Sequence, residues 1–352
     1  MTSNDRAVLT VRSTADLLAA VPYLLGFHPA DSLVVMALRG NRVVFVARGD
    51  LPEVTGPAAA DEIGEAAAQV AAIVARQRVE ITTVVGYGEP ARVTPTVDAV
   101  TAALGRAGLP VLEALRVTGD RYWSYVCDEA GCCPPDGRPF DCSTSQLAAA
   151  ATFAGQVALP DRDALARRLA PVDGPARDEL RKAAGRAELR LSALLAEGRP
   201  DHPQGRRALR RAGRAAVREA TDRYRNGGQL TDDEVAWLCL LMVHLPVRDD
   251  AWQATGGEEW HLALWTDVLR RAEPELVPAP ATLLGFAAWR AGQGALASVA
   301  VERALAAQPD YSFAQLLAEA LQAGIGPSVL DGWPDADLDF DSDSNSDSCP
   351  ET

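Results

Sequence analysis

The sequence predicts an α/β N-terminal domain built on a mixed, mostly parallel sheet, then an all-α domain and a disordered acidic tail. Three observations predict this order. Short apolar runs rich in β-branched residues, at Leu33–Leu38, Val43–Ala47, Ile81–Gly86 and Val111–Val117, alternate with stretches of helical periodicity up to Cys142. After Cys142 the texture changes to alanine, leucine and arginine at helical spacing, without strand patterning. From Asp331 onward, Asp and Ser alternate with little apolar content. The implied domains are residues 8–142, 143–330 and a tail of 331–352.

Taken in order, Val8–Val11 reads as a short strand. Ser13 and Thr14 offer N-cap oxygens to a helix carrying Leu17, Leu18, Val21, Leu24 and Leu25, which Gly26 is placed to end. The run Asp31–Asp50 is the centre of the sheet. Its first half, Leu33–Leu38, lacks polar residues at alternate positions, as expected of a strand covered on both faces. Arg39-Gly40-Asn41 then supplies a hairpin turn, since Gly and Asn tolerate positive φ. Helices are expected at 58–77 and 96–107, and strands at 81–86, 111–117 and 121–127, the last after a turn at Thr118-Gly119-Asp120. Strands 43–47, 81–86 and 111–117 should run one way, and 33–38 and 121–127 the other. Further helices are expected at 144–158, 161–169, 175–197, 205–225, 231–245, 259–272, 279–291, 295–307 and 311–323.

Composition narrows the function classes. Of 352 residues, 48% are apolar and mean hydropathy is near zero, as for a soluble globular protein. No apolar run is long enough to span a bilayer, and the N-terminus lacks the pattern of a signal peptide, so a cytoplasmic protein is expected. A net charge of −14 argues against general nucleic-acid binding. The six cysteines of a cytoplasmic chain read as free thiols or metal ligands rather than disulfides.

Two runs carry a resemblance. DLLAAVPYLLGFHPADSLVV (Asp16–Val35) and RYWSYVCDEAGCCPPDG (Arg121–Gly137) resemble the actinobacterial family catalogued as domain of unknown function 4192. The likeness spans roughly residues 8–325 and implies an actinobacterial source, in keeping with a chain whose only lysine is Lys182. It implies no activity and no catalytic residue. Leu284, Gly285, Ala297, Ala304 and Pro309 also resemble spaced positions of a single tetratricopeptide repeat near 281–314, with no second copy at the expected period.

Two constellations carry candidate chemistry. The first is a ligand-binding edge. In open α/β sheets ligands bind at the carboxyl ends of the parallel strands, and His28, Asp31, Asp50, Tyr87, Glu89 and Asp120 all belong to loops at that edge. His28 is suited to proton transfer with Asp31 orienting its ring; alternatively it only occupies a turn. Gly86 and Gly88 would let a ligand approach the backbone, although no phosphate-loop or dinucleotide pattern is present.

The second constellation is Cys127, Cys132, Cys133 and Cys142, whose thiolates offer zinc a site on one loop. The spacing C-x4-C-C-x8-C is not a recognised zinc pattern, and adjacent cysteines rarely ligate one ion. A redox-active thiol pair or plain loop cysteines are the alternatives. Cys127 should lie at the sheet edge opposite His28, with Cys132 and Cys133 gathered away from the His28 group.

Arg206, Arg207, Arg210, Arg211, Arg214 and Arg218 line a helix that reads as a solvated or acid-paired face rather than a phosphate-binding one. Trp237, Trp252, Trp260, Trp265 and Trp289 read as core and packing residues rather than a binding groove. The function these features imply is a binding or regulatory protein for a small molecule or a protein partner. The alternative is an enzyme working at the His28–Asp31 pocket or through a metal or thiol site at Cys127–Cys142.

Overall fold

The computed structural model describes residues 13–40, 42–53, 57–127, 129, 131–142, 146–153, 157–196 and 203–331. The strand expected at Val8–Val11 and the tail beyond Asp331 lie outside the described residues.

Helix α1 (Thr14–Leu25) starts where extended Ser13 accepts a hydrogen bond on its hydroxyl from the Asp16 N–H, at 3.1 Å. Gly26 closes it at φ 82°, in the left-handed region. Strands β1 (Ser32–Arg39) and β2 (Arg42–Asp50) form the hairpin, turning at Gly40 with φ 55°. Their register slips between Ala37 and Leu38, leaving Val44 as the extra residue of a bulge. Then follow α2 (Pro57–Ala75), β3 (Ile81–Tyr87), α3 (Pro90–Arg106), β4 (Val111–Thr118), β5 (Arg121–Ser124) and β6 (Arg138–Pro139).

The six strands lie in the order β2-β1-β3-β4-β5-β6. The sheet is mixed but mostly antiparallel, which corrects the expected mostly parallel pairing: only β3 and β4 pair in parallel. The expected strand directions do occur, because β2 and β3 both run antiparallel to β1 and β4 runs with β3. What differs is adjacency. β1 sits between β2 and β3, so these two, which share a direction, are not neighbours. Strand β5 ends at Ser124 rather than at 127, and β6, two residues long, has no counterpart in the sequence expectation.

One face of the sheet, with Leu33, Val35, Ala37, Val84 and Ala114, packs against Ala67, Ala71 and Val74 of α2 and Val93, Val97, Val100 and Leu104 of α3. Burial of β1 on both faces explains its unbroken apolar run. Helix α3 comes unusually close at Gly86, where an added Cβ would lie 2.3 Å from Val93 Cγ1 and 3.1 Å from Val97 Cγ2.

Helices α4 (Gln146–Phe153), α5 (Arg162–Arg168), α6 (Gly174–Ala196), α7 (Pro203–Arg225), α8 (Asp232–Leu241), α9 (Leu245–Gln253), α10 (Glu259–Arg271), α11 (Pro278–Arg290), α12 (Gly294–Ala307) and α13 (Ser312–Gln322) follow. No strand follows β6 among the described residues; Leu159 makes only an isolated parallel bridge to Phe27. The single helix expected at 231–245 is two. Thr231 and Glu234 form a capping box at the start of α8, and Pro246, which lacks an N–H, fits the first turn of a new helix α9.

The chain divides into two compact units. Among the described residues, one comprises those up to Ala170 with Gln293–Glu302 and Ser312–Ile325; the second comprises those of Pro171–Gly292 with Arg303–Tyr311 and those from Gly326 to Asp331. Within the second, Trp237, Trp265 and Trp289 are buried, while Trp252 and Trp260 are half-buried. Asp250 of α9 is buried against α7, 3.3 Å from Arg214 Nε and 3.8 Å from Arg210 Nε, so part of the arginine row is acid-paired. Among the described residues no helix is long and apolar enough to cross a membrane.

Candidate functional site

The register brings the first constellation to one end of the sheet. Ser32 pairs with both Asp50 and Tyr87, and Tyr87 pairs with Val117, so Asp31, Asp50, Tyr87 and Glu89 neighbour one another and Asp120 lies on the β4–β5 turn at the same end. The acids there have partners within the fold. Asp31, at φ 44°, lies 2.7 Å from Arg92 Nη1, and Arg92 also donates to the carbonyls of Leu51 and Pro52, each at 3.0 Å. Asp50 is 2.7 Å from Arg48. Glu89 caps α3 through its backbone carbonyl, which accepts from the N–H groups of Arg92 and Val93.

His28 is exposed and its backbone N–H donates to the Leu159 carbonyl at 2.8 Å. The Asp120 carbonyl accepts from the Phe140 N–H at 2.9 Å. Tyr87 is buried with its hydroxyl unpaired among the described residues, and burial pushes its phenol well above the usual value, with Cys142 adding to the rise. Gly86 serves α3, not an open ligand path: Val93 fills the space beside it.

The second constellation is tighter. The Sγ atoms of Cys127, Cys132 and Cys133 all lie within 4.8 Å of one another. Cys142 stands apart from this trio and near Tyr87 instead. The local fold explains how two adjacent cysteines share a side. In an extended chain successive side chains point to opposite faces. Here the N–H groups of Cys132 and Cys133 both donate to the Glu129 carbonyl, at 2.9 and 2.6 Å, which coils the backbone and turns both thiols toward Cys127.

The loop is pinned to β5 on its far side. Gly137, at φ 73°, closes a turn through its N–H to the Pro134 carbonyl at 2.9 Å. A Cβ on it would meet the Trp123 ring at 2.5 Å, so only glycine lets the turn lie on that indole. Trp123 Nε1 donates to the Pro135 carbonyl at 2.9 Å, and Arg121 Nη1 donates to the carbonyls of Asp136 and Gly137 at 3.0 and 2.8 Å. The Arg116 guanidinium lies over the Trp123 ring, 3.9 Å from its centroid, and Phe140 meets Tyr122 edge-on at 6.0 Å. Residues Arg138 and Pro139 then pair with Tyr122 and Arg121 as β6.

Charge is arranged around the sulfurs. Arg138 Nη1 donates toward Cys132 Sγ at 3.9 Å. The Cys133 thiol and the Glu129 backbone N–H stabilise the Cys127 thiolate and hold its pKa below the ordinary thiol value. Cys133 holds its proton more tightly, its pKa pushed up to about 12 by the same bond to Cys127 and by burial. Three sulfur donors beside a cation can hold a thiophilic metal ion or undergo thiol redox chemistry. The sequence reading missed Arg121, Tyr122, Trp123 and Arg138 as the supports of this loop, although all four lie within or next to the run quoted as a family likeness. Alternation of Arg121 and Trp123 on one face of a short strand was the available signal.

No curated protein and no solved structure matches the chain. One protein-family model does match, described as Domain of unknown function (DUF4192), over residues 15–328. That span includes the sheet, both constellations and the helices through α13, and on it the chain belongs to the DUF4192 family.

Proposed function

We propose that this chain is a metal-binding protein whose site is the thiol trio Cys127, Cys132 and Cys133, selective for a thiophilic cation such as zinc. The observation that carries the reading is the spacing of the three sulfurs. Zinc–sulfur bonds of about 2.3 Å at tetrahedral angles place sulfurs about 3.8 Å apart. A cluster already within 4.8 Å needs each sulfur to move by only about half an ångström, within reach of side-chain torsions. Three thiolates around a divalent cation leave one negative charge, and Arg138 stands beside it. The fourth coordination position is open to a ligand from outside the trio, which suits a binding or regulatory role.

The sheet end is the weaker of the two constellations as a ligand site, because Arg92 and Arg48 already engage Asp31 and Asp50. The test is metal analysis of the full-length protein purified under reducing conditions, with zinc titrated against a chromophoric chelator. One zinc per chain, lost in Cys132→Ser, is the expected result. Failure of the wild-type protein to compete with the chelator would overturn the reading.

A further inference from the structure

Three thiols lie together on one loop. Cys132 is exposed, whereas Cys127 and Cys133 are half-buried. Cys132 is thus the residue of the trio most open to an oxidant arriving from solvent, and Arg138 Nη1 stands 3.9 Å from its Sγ. Covalent geometry favours one resolving thiol. An unstrained disulfide usually has its two Cα atoms about 4.4–6.8 Å apart, whereas neighbours across a trans peptide are held at about 3.8 Å. Cys133 is the immediate neighbour of Cys132 and is joined to it by a trans peptide. Cys127 is five residues upstream with its sulfur within 4.8 Å, free of that restriction.

We infer that the trio is a peroxide-responsive switch in which Cys132 is oxidised and Cys127 resolves it, closing a Cys127–Cys132 disulfide that releases the metal. The chemistry balances with a hydroperoxide as the oxidant. The Cys132 thiolate attacks the terminal peroxide oxygen, the O–O bond breaks, and the leaving oxygen takes a proton, giving a sulfenic acid and water or an alcohol. The Cys127 thiolate then attacks Cys132 Sγ, the S–O bond breaks, and the departing hydroxide takes a proton to leave as water. Two thiols have lost two electrons in total and the peroxide has gained them. The metal ion keeps its oxidation state; it leaves because Cys133 alone remains as a thiolate ligand. The release step rests on the metal-binding reading, while disulfide formation does not.

The experiment treats the reduced full-length protein, with and without zinc, with one equivalent of hydrogen peroxide. Disulfides are mapped by tandem mass spectrometry of unreduced peptides, and zinc release is followed with a chromophoric chelator. The expected product is a Cys127–Cys132 bridge, with zinc appearing in step with it and dithiothreitol restoring binding. In Cys127→Ser, Cys132 should stop at a sulfenic acid that dimedone traps, and disulfide yield should fall at least about tenfold. Cys133→Ser should still form the bridge. A bridge to Cys133 or Cys142, or three intact thiols after treatment, overturns the switch. A protein that binds no zinc yet forms the bridge overturns metal release and the metal-binding reading but leaves the thiol chemistry standing, so the two failures are told apart.

Discussion

Replacing Gly86 by alanine tests whether α3 is seated on the sheet as closely as the structure requires. The new Cβ would stand 2.3 Å from Val93 Cγ1, more than 1 Å inside ordinary contact, with Val97 Cγ2 at 3.1 Å closing the neighbouring space. Val93 is fully buried in a helix, where a β-branched side chain has essentially one rotamer, so it cannot swing aside and α3 must lift instead. Overpacking of this kind costs about 1–3 kcal/mol, and an overlap this large belongs at the upper end. Alanine recovers about 0.5–1 kcal/mol that glycine loses in a strand. The expected net loss is about 2 kcal/mol, roughly a thirtyfold fall in the folding constant. Denaturant unfolding of Gly86→Ala, Val93→Ala and the double variant measures it. In the Val93→Ala background both methyl groups are gone, so Gly86→Ala should be neutral or stabilising, a coupling of about 2 kcal/mol. Equal destabilisation in both backgrounds would refute the close approach.

Three other outcomes follow from particular contacts. Arg92→Ala removes one guanidinium from Asp31 and two carbonyls and should lower unfolding free energy by about 1–3 kcal/mol; an unchanged value would return Asp31 to candidacy as a ligand group. Gly137→Ala sets a Cβ against Trp123 at positive φ and should weaken zinc binding by at least about tenfold in chelator competition, since each 1.4 kcal/mol of strain transmitted to the trio is a factor of ten. Equal affinity would show that the Pro134–Gly137 turn does not position the thiols. His261, buried between Glu258 and the Ala254 carbonyl, has its pKa held below the ordinary 6.5 chiefly by burial. The folded state thus binds that proton less readily than the unfolded chain, and the stability present above pH 6.5 declines as pH falls below it. Melting temperature should drop through this window, and His261→Gln should flatten the drop; an identical profile in the variant refutes the assignment.

The hairpin, the Ser13 cap and the Gly26 stop were readable because each depends on one or two residues with narrow conformational preferences. Strand directions were also readable, from the lengths of the connections. Adjacency was not: the unbroken apolar run of β1 says that both faces are covered, yet β2 and β3 on either side of it leave no mark in its sequence. Strand β6 is two residues in a proline-bearing segment, too short for any period. Helix α9 was hidden because Pro246 reads equally as a stop or as a first turn. At the thiol loop, the cysteines were visible and their convergence was not, because adjacent cysteines diverge in an extended chain and converge only when both N–H groups bend to one carbonyl, that of Glu129.

The anchors of that loop set the relation between occupancy and folding. In small zinc modules the ion is the staple, and removing it dissolves the fold. Here Trp123, Arg121, Phe140 and the β6 pairing hold the loop by contacts that include no sulfur. If the trio takes an ion as proposed above, that ion would be a guest in a furnished room: it could arrive and depart while the walls stand, changing local charge far more than shape. A partner that reads this site would be reading electrostatics at the sheet's edge, not the presence or absence of a folded domain.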